Sequence, residues 1–216
     1  MTHSSMDAVT SLNGDTARRI VDVATDLIQT RGYSAISYQF ISDRLGIRNA
    51  SIHYHFPAKA DLGVAVVKAY AETHAHQLGA LLEKSDAQTA ALLDSYFAGF
   101  RALTGTPGKV CLCAALASEI LALPAQMRAP VKDFFAMHEV WLEKVLRRGQ
   151  KRAEVPADLA PAKAARTIFS GLQGAVLVGR ATGNRRELDD VIATIRATVL
   201  AKGRPARRNP PAAGAR

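Results

Sequence analysis

Only two cysteines occur in 216 residues, Cys111 and Cys113, two positions apart. Such a pair cannot build a disulfide framework and fits a reducing cytoplasm. Aromatic residues are few, 6% of the chain, whereas hydrophobic residues reach 48% with Ala and Leu abundant. That balance predicts an all-α protein. No apolar run reaches the roughly 18 residues a membrane span requires. The longest, Val110 to Leu123, is broken by Ser118 and Glu119. The N-terminus lacks a basic region followed by an apolar stretch, so no secretory signal is expected. A phosphate-cradling Gly loop, paired catalytic carboxylates and a Cys/His arrangement with local spacing are also missing, which argues against an enzyme and against a cofactor. His53/His55 and His74/His76 are spaced by two. On a helix such residues lie about 200° apart, so neither pair chelates one metal, and no metal site is expected.

Acidic charge is in short supply, and the formal net charge is +9. Five of the nine charges, Lys202, Arg204, Arg207, Arg208 and Arg216, fall in the C-terminal tail. Through residue 60 six Lys or Arg face five Asp. Net charge therefore does not locate an acidic partner; a motif has to.

That motif is residues 37–59, SYQFISDRLGIRNASIHYHFPAK. Ser37 is placed to cap a short helix through its hydroxyl. Ile41 and Leu45 share one face of it. Gly46 supplies the positive φ of a helix C-terminus and sharp turn. In the second helix Ile47, Ile52 and Phe56 form the apolar side, which leaves Arg48, Asn49, Ser51, His53 and Tyr54 outside. Pro57 stops it and Lys59 begins the next. A helix this short fits a major groove roughly 12 Å wide. The pattern reads as a helix-turn-helix, and the alternative is a helical hairpin with a polar surface.

From Arg19 to about Val67 the chain resembles the DNA-binding domain of the TetR family of transcriptional regulators. The residues that carry the likeness are Arg31-Gly32-Tyr33, Ser37, Ile41, Leu45-Gly46-Ile47, Ala50-Ser51-Ile52, Tyr54-His55-Phe56, Lys59 and Leu62. Ile36 and His53 depart from it, standing where the family commonly has Thr and Tyr. The resemblance implies an N-terminal three-helix helix-turn-helix domain joined by a long helix to a larger helical regulatory and dimerisation domain. It also implies double-stranded DNA, a small-molecule effector and a second copy of the chain as partners. Ser37, Arg48, His53 and Lys59 are then expected on phosphates, and Gln39, Asn49, Ser51 and Tyr54 on base edges. The function implied is a repressor released from a palindromic operator by an effector. The alternatives are a switch through modification of Cys111 and a constitutive architectural DNA binder.

Along the chain, residues 1–14 read as a disordered arm, 15–60 as the DNA-binding domain and 61–202 as the sensing and dimerisation domain. Residues 203–216, rich in Pro, Gly and Arg, read as a disordered basic tail. The fourth helix should run from about Ala58 to Glu83, and Val110 to Leu123 reads as one helical segment stopped by Pro124. Cys111 and Cys113 are either small buried hydrophobes or, for Cys111 at a helix start, a sensing thiol. Some relatives sense electrophiles at a similarly placed cysteine. Phe97, Phe100, His138 and Trp141 either line an effector cavity or form plain core. Glu119 is either exposed or a buried acid needing a partner, with effector orientation as a further option. His74 and His76 read as surface positions. Gly171, Gly174 and Gly179, with Ile192 and Ile195 on the last helix, mark a dimer interface or complete the monomer core.

Overall fold

The computed structural model describes residues 3–83, 86–184 and 186–200, with side chains from residue 14 onward. Among them are nine helices and no strand: α1 His3–Arg31, α2 Tyr38–Leu45, α3 Asn49–His55, α4 Lys59–Glu83, α5 Thr89–Thr104, α6 Leu112–Ser118, α7 Ala125–Lys151, α8 Pro161–Thr182 and α9 Glu187–Val199. The basic tail expected over 203–216 lies outside the described residues. The disordered arm expected over 1–14 is, from His3 onward, the first part of α1. Helix elongation from an anchored segment costs little per residue once nucleation has occurred.

The anchor is the stripe Ile20, Ala24, Leu27 and Ile28, which is buried. It meets Ile41 of α2, Ile52 of α3, and Leu62 and Val66 of α4 in one continuous core. Ser37 caps α2, its side chain accepting from the Phe40 N–H at 3.3 Å. Gly46 ends the helix with φ 67° and ψ 31° and donates its N–H to the Ser42 carbonyl at 2.8 Å. A side chain in that left-handed conformation is strained, so Gly is the residue that allows the turn.

Helix α4 packs on α1 and on α7. At its beginning the backbone comes so close to α7 that a Cβ on Gly63 would stand 2.5 Å from Met127 Sδ. Near its end Trp141 Nε1 donates to the Leu78 carbonyl at 2.7 Å. One rod is thus gripped by both halves of the chain.

The segment Val110 to Leu123 differs from expectation. Its helix covers only Leu112–Ser118, and residues 119–123 turn back on themselves. Two causes are visible. The Ala122 and Leu123 N–H groups both donate to the Glu119 carbonyl, and Arg128 donates to the carbonyls of Leu121 and Leu123. The Glu119 side chain, meanwhile, is held by the other half of the chain.

Candidate nucleic-acid interface and cavity

Helix α3 is seven residues long and leans on α2 and α1 through Ile52. Tyr38 fixes its far end: the phenol donates to the Phe56 carbonyl at 2.7 Å. Burial and the Asp61 charge push the Tyr38 pKa up to about 12, so it stays a donor. The Tyr38 ring also meets His53 edge-on, with centroids 4.7 Å apart. Sequence reading missed this role because Phe56 lies 18 positions away, outside any helical repeat.

On the opposite face Arg48, His53 and Tyr54 are exposed, Tyr54 by 72%. Asn49 and Ser51 are only half-buried, so the outward face is narrower than the spacing predicts. Asn49 Nδ2 donates to Gln39 Oε1 at 2.9 Å, and Gln39 Nε2 donates to Asp43 at 2.7 Å. These two expected base readers therefore tie α2 to α3. Asn49 keeps one buried, unpartnered carbonyl oxygen. Ser37 is exposed at the α2 cap. Lys59 is half-buried, its ammonium 4.4 Å from the centre of the Tyr33 ring. Burial lowers its pKa, which the Glu119 charge opposes.

Glu119 is the largest surprise. Its carboxylate accepts from the Tyr33 N–H at 2.8 Å, from the Ser34 N–H at 2.9 Å, and from the Ser34 hydroxyl. It is not among the residues that line the cavity described below; it clamps the α1–α2 turn to the end of α6. Burial would raise its pKa, but the Ser34 and Tyr33 donors and the Lys59 charge outweigh that and lower it. Nearby, Asp26 of α1 bridges Arg44 at 3.0 Å and Lys109 at 2.9 Å, and Arg180 of α8 donates to the Thr30 carbonyl at 2.7 Å. The C-terminal end of α1 is held from three sides.

Between α4, α5 and α7 lies a cavity of about 660 Å³. Phe100, His138 and Cys111 line it, as does His74, which the sequence had placed at the surface. His74 packs against His138 and Phe134 with centroids 5.2 Å away from each. Burial pulls its pKa down to about 4. His138 falls to about 3, by burial and then by the His74 charge. Both are neutral imidazoles at pH 7. A histidine four residues beyond Tyr70 shares its helix face, and that is the signal that would have found His74. Phe97, Cys113 and Trp141 do not line the cavity. Phe97 and Cys113 are core, and Trp141 stacks on Tyr96 at 5.1 Å. Burial and the Cys111 charge push the Cys113 pKa far up, so its thiol stays protonated. Cys111 is buried at the cap of α6 with its sulfur 4.0 Å from the Tyr70 hydroxyl.

The expected dimer residues divide. Ile192 and Ile195 are buried within the single chain, where they pack its own core. A Cβ on Gly171 would make only ordinary contact with Val191, and one on Gly174 would meet open space. Gly179 would meet the Asn184 carbonyl at 3.0 Å, a constraint from the α8–α9 turn. Leu177 and Val178 of α8 remain exposed.

A helix-turn-helix that shares one long helix with a cavity-bearing helical body is the architecture of a ligand-responsive, DNA-binding transcription regulator. Comparison with known proteins gives the family. The model described as bacterial regulatory proteins, tetR family, matches residues 20–66, and that of the tetracyclin repressor-like C-terminal domain matches 87–195. The chain belongs to the TetR family. A TetR transcriptional regulator from Legionella pneumophila is 32% identical, with a TM-score of 0.78 over 84% of this chain and 95% of that one. A TetR-family regulator from Agrobacterium tumefaciens is 30% identical, with a TM-score of 0.81 over 87% and 99%. The HTH-type transcriptional repressor DhaR of Mycobacterium sp. (strain GP1) is 24% identical over 82% of this chain and 89% of that protein. No helix among the described residues is long and apolar enough to cross a membrane.

Proposed function

We propose that the chain is a dimeric repressor that leaves a two-fold operator when an uncharged small molecule enters the cavity of about 660 Å³. One observation carries this reading. Helix α4 starts at Lys59, directly after the outward-facing residues of α3, and its Tyr70 and His74 form a wall of the cavity. Filling the cavity therefore acts on the same rod that sets the position of α3. Two copies would place their α3 helices in successive major grooves, about 34–36 Å apart. Exposed Leu177 and Val178, with Gly174 beside them on α8, support pairing through the last two helices, with α9 contributing its outer face. No catalytic step enters this reading, and Cys111 serves as cavity wall.

Footprinting on DNA flanking the gene tests it. The expected result is a discrete protected site with two-fold symmetry that is lost on effector addition. Broad coating of DNA would favour an architectural protein instead.

Within that site Arg48, His53, Ser37 and Lys59 are assigned to phosphates, and Tyr54 and Ser51 to base edges, with Gln39 and Asn49 able to join only by giving up their mutual bond. Lys59→Ala should weaken all operators alike and reduce the salt slope by about one per subunit. A loss confined to one operator sequence, or an unchanged slope, would mean the ammonium stays on the Tyr33 ring. Tyr54→Ala should leave stability within about 0.5 kcal/mol, because the ring is exposed. It should cost about 1–3 kcal/mol of binding and relax sequence preference at one position. Anisotropy titration against a set of single-base operator variants reads both effects.

A further inference from the structure

The mouth and floor of the cavity differ in chemistry. Its rim on α4 and α5 includes exposed Gln77, Ser95 and Gly99. Its depth is aromatic: Phe134, Tyr96 and His138 are buried there. Among the described residues no Asp, Glu, Lys or Arg lines it. Two residues that line it, His138 and Gln173 (which also borders a second cavity beside α8), each carry a buried polar atom without a partner. His138, only 3% exposed, has Nε2 buried and unbonded, and so has Gln173 Oε1 on α8. Buried polar atoms left this way are costly and call for a partner.

The polarity of each orphan can be assigned. His138 Nδ1 lies 2.9 Å from the Tyr96 hydroxyl. The Tyr96 hydroxyl has no other hydrogen-bond partner among the described residues, so its proton is satisfied only by donation to Nδ1. Nδ1 then accepts, and in a neutral imidazole the proton sits on Nε2. His138 therefore offers one N–H, and Gln173 offers one carbonyl oxygen. The ring is locked in place, stacked on Phe169 at 5.1 Å with 17° between planes.

We infer that the effector is an uncharged molecule with an aromatic or similarly flat apolar body and one head group that both accepts and donates, as a primary carboxamide does. Its carbonyl takes the His138 Nε2 proton, and its N–H serves Gln173 Oε1. The body lies among Phe134, Phe100 and Tyr70. A carboxylate fits worse, because it meets Gln173 Oε1 acceptor to acceptor unless the amide turns over, and no cation among the described wall residues offsets its desolvation. An amidinium is excluded because it would set donor against His138 Nε2–H. This inference rests on the cavity being the effector site.

The test titrates the full-length chain with four probes of one shape: naphthalene, 2-naphthamide, 2-naphthoate and 2-naphthamidinium, by calorimetry and by thermal shift. The amide should bind at least about 10-fold tighter than naphthalene, the worth of one satisfied hydrogen bond pair. Both ions should bind at least about 100-fold weaker than the amide. At 100 times Kd the amide should raise Tm by about 5 °C or more. His138→Phe and Gln173→Leu should each abolish the preference for amide over naphthalene while naphthalene itself still binds. Gln173 is only half-buried, so that variant keeps the test alive if the His138 change prevents folding. An amide no tighter than naphthalene, or an ion that equals it, overturns the head-group inference and leaves the cavity reading intact. If none of the four binds, the cavity is not the effector site and both fall together.

Discussion

Ile52→Ala should abolish specific DNA binding while the regulatory half of the molecule stays folded. Ile52 is completely buried, and it is the one residue of α3 that is. A helix of seven residues has no stability of its own in water, because nucleation is not repaid over so few bonds. Its position is set by what it packs against: Ile52 in the core, with half-buried Ile47 and Phe56 beside it and the Tyr38 bond at its end. Truncation to Ala removes a buried aliphatic side chain and leaves a void, at a cost of about 2–5 kcal/mol. Most of that falls on a small domain, so local opening of α2 and α3 becomes competitive with the native state. Hydrogen exchange should show α2 and α3 amides losing protection while α7 and α8 keep theirs. Anisotropy with the footprinted operator should show specific binding reduced to the salt-sensitive background. Wild-type affinity together with a stability loss under about 1 kcal/mol would show that α3 is held by something else.

Glu119→Ala has the second large effect, and it acts on both halves at once. The carboxylate now serves two backbone N–H groups and a hydroxyl of the α1–α2 turn. Hydrogen bonds to a charged group contribute about 1.5–3 kcal/mol, and the half-solvated surroundings put this site at the low end of that range. A loss of about 1–2 kcal/mol is expected, or about 2–8 °C in Tm for a chain of this size. The clamp is also pH-dependent with a definite sign. The folded-state pKa lies below the ordinary value of 4.5. Its contribution is therefore complete above the unfolded pKa and is lost as pH falls through the folded value. The Tm gap between wild type and Glu119→Gln should be constant from pH 6 to 8, about neutrality, and close on acidification below about 4.5. Since α6 is capped at its start by Cys111 on the cavity wall and at its end by Glu119, the variant should also show a smaller effector-induced change in operator occupancy than the roughly 5- to 150-fold typical of such coupling. Unchanged Tm and unchanged response would assign the turn's position to the Asp26 and Arg180 contacts alone.

The two halves of the chain were unequally legible. For the helix-turn-helix, cap, turn and apolar spacing are local signals, and Ser37, Gly46 and Ile52 occupy the places that their chemistry predicts. Helix α4 likewise begins one residue after Ala58 and ends at Glu83. The regulatory half gives helices but not their partners. His74 and His76 have the same spacing as any surface pair, yet His76 stays exposed at the cavity rim while α7 and its aromatic side chains pack His74 into the wall. Ile192 and Ile195 carry the same apolar stripe whether it meets a second copy or α8 of the same chain; here the stripe is consumed internally.

By itself the sequence determined an all-α chain, a short helix with Arg48, Asn49, Ser51, His53 and Tyr54 turned away from its apolar side, and a rod leading away from it. Those features depend on contacts three or four residues apart, which the order of side chains encodes directly. Only the tertiary structure decided that Glu119 would reach back to Tyr33 and Ser34, that His138 would be left with an unpartnered Nε2, and that a cavity would open against α4. Each of these joins segments 40 or more positions apart. A carboxylate or an imidazole is equally able to meet water or a distant amide, and the packing of the helices chooses between them.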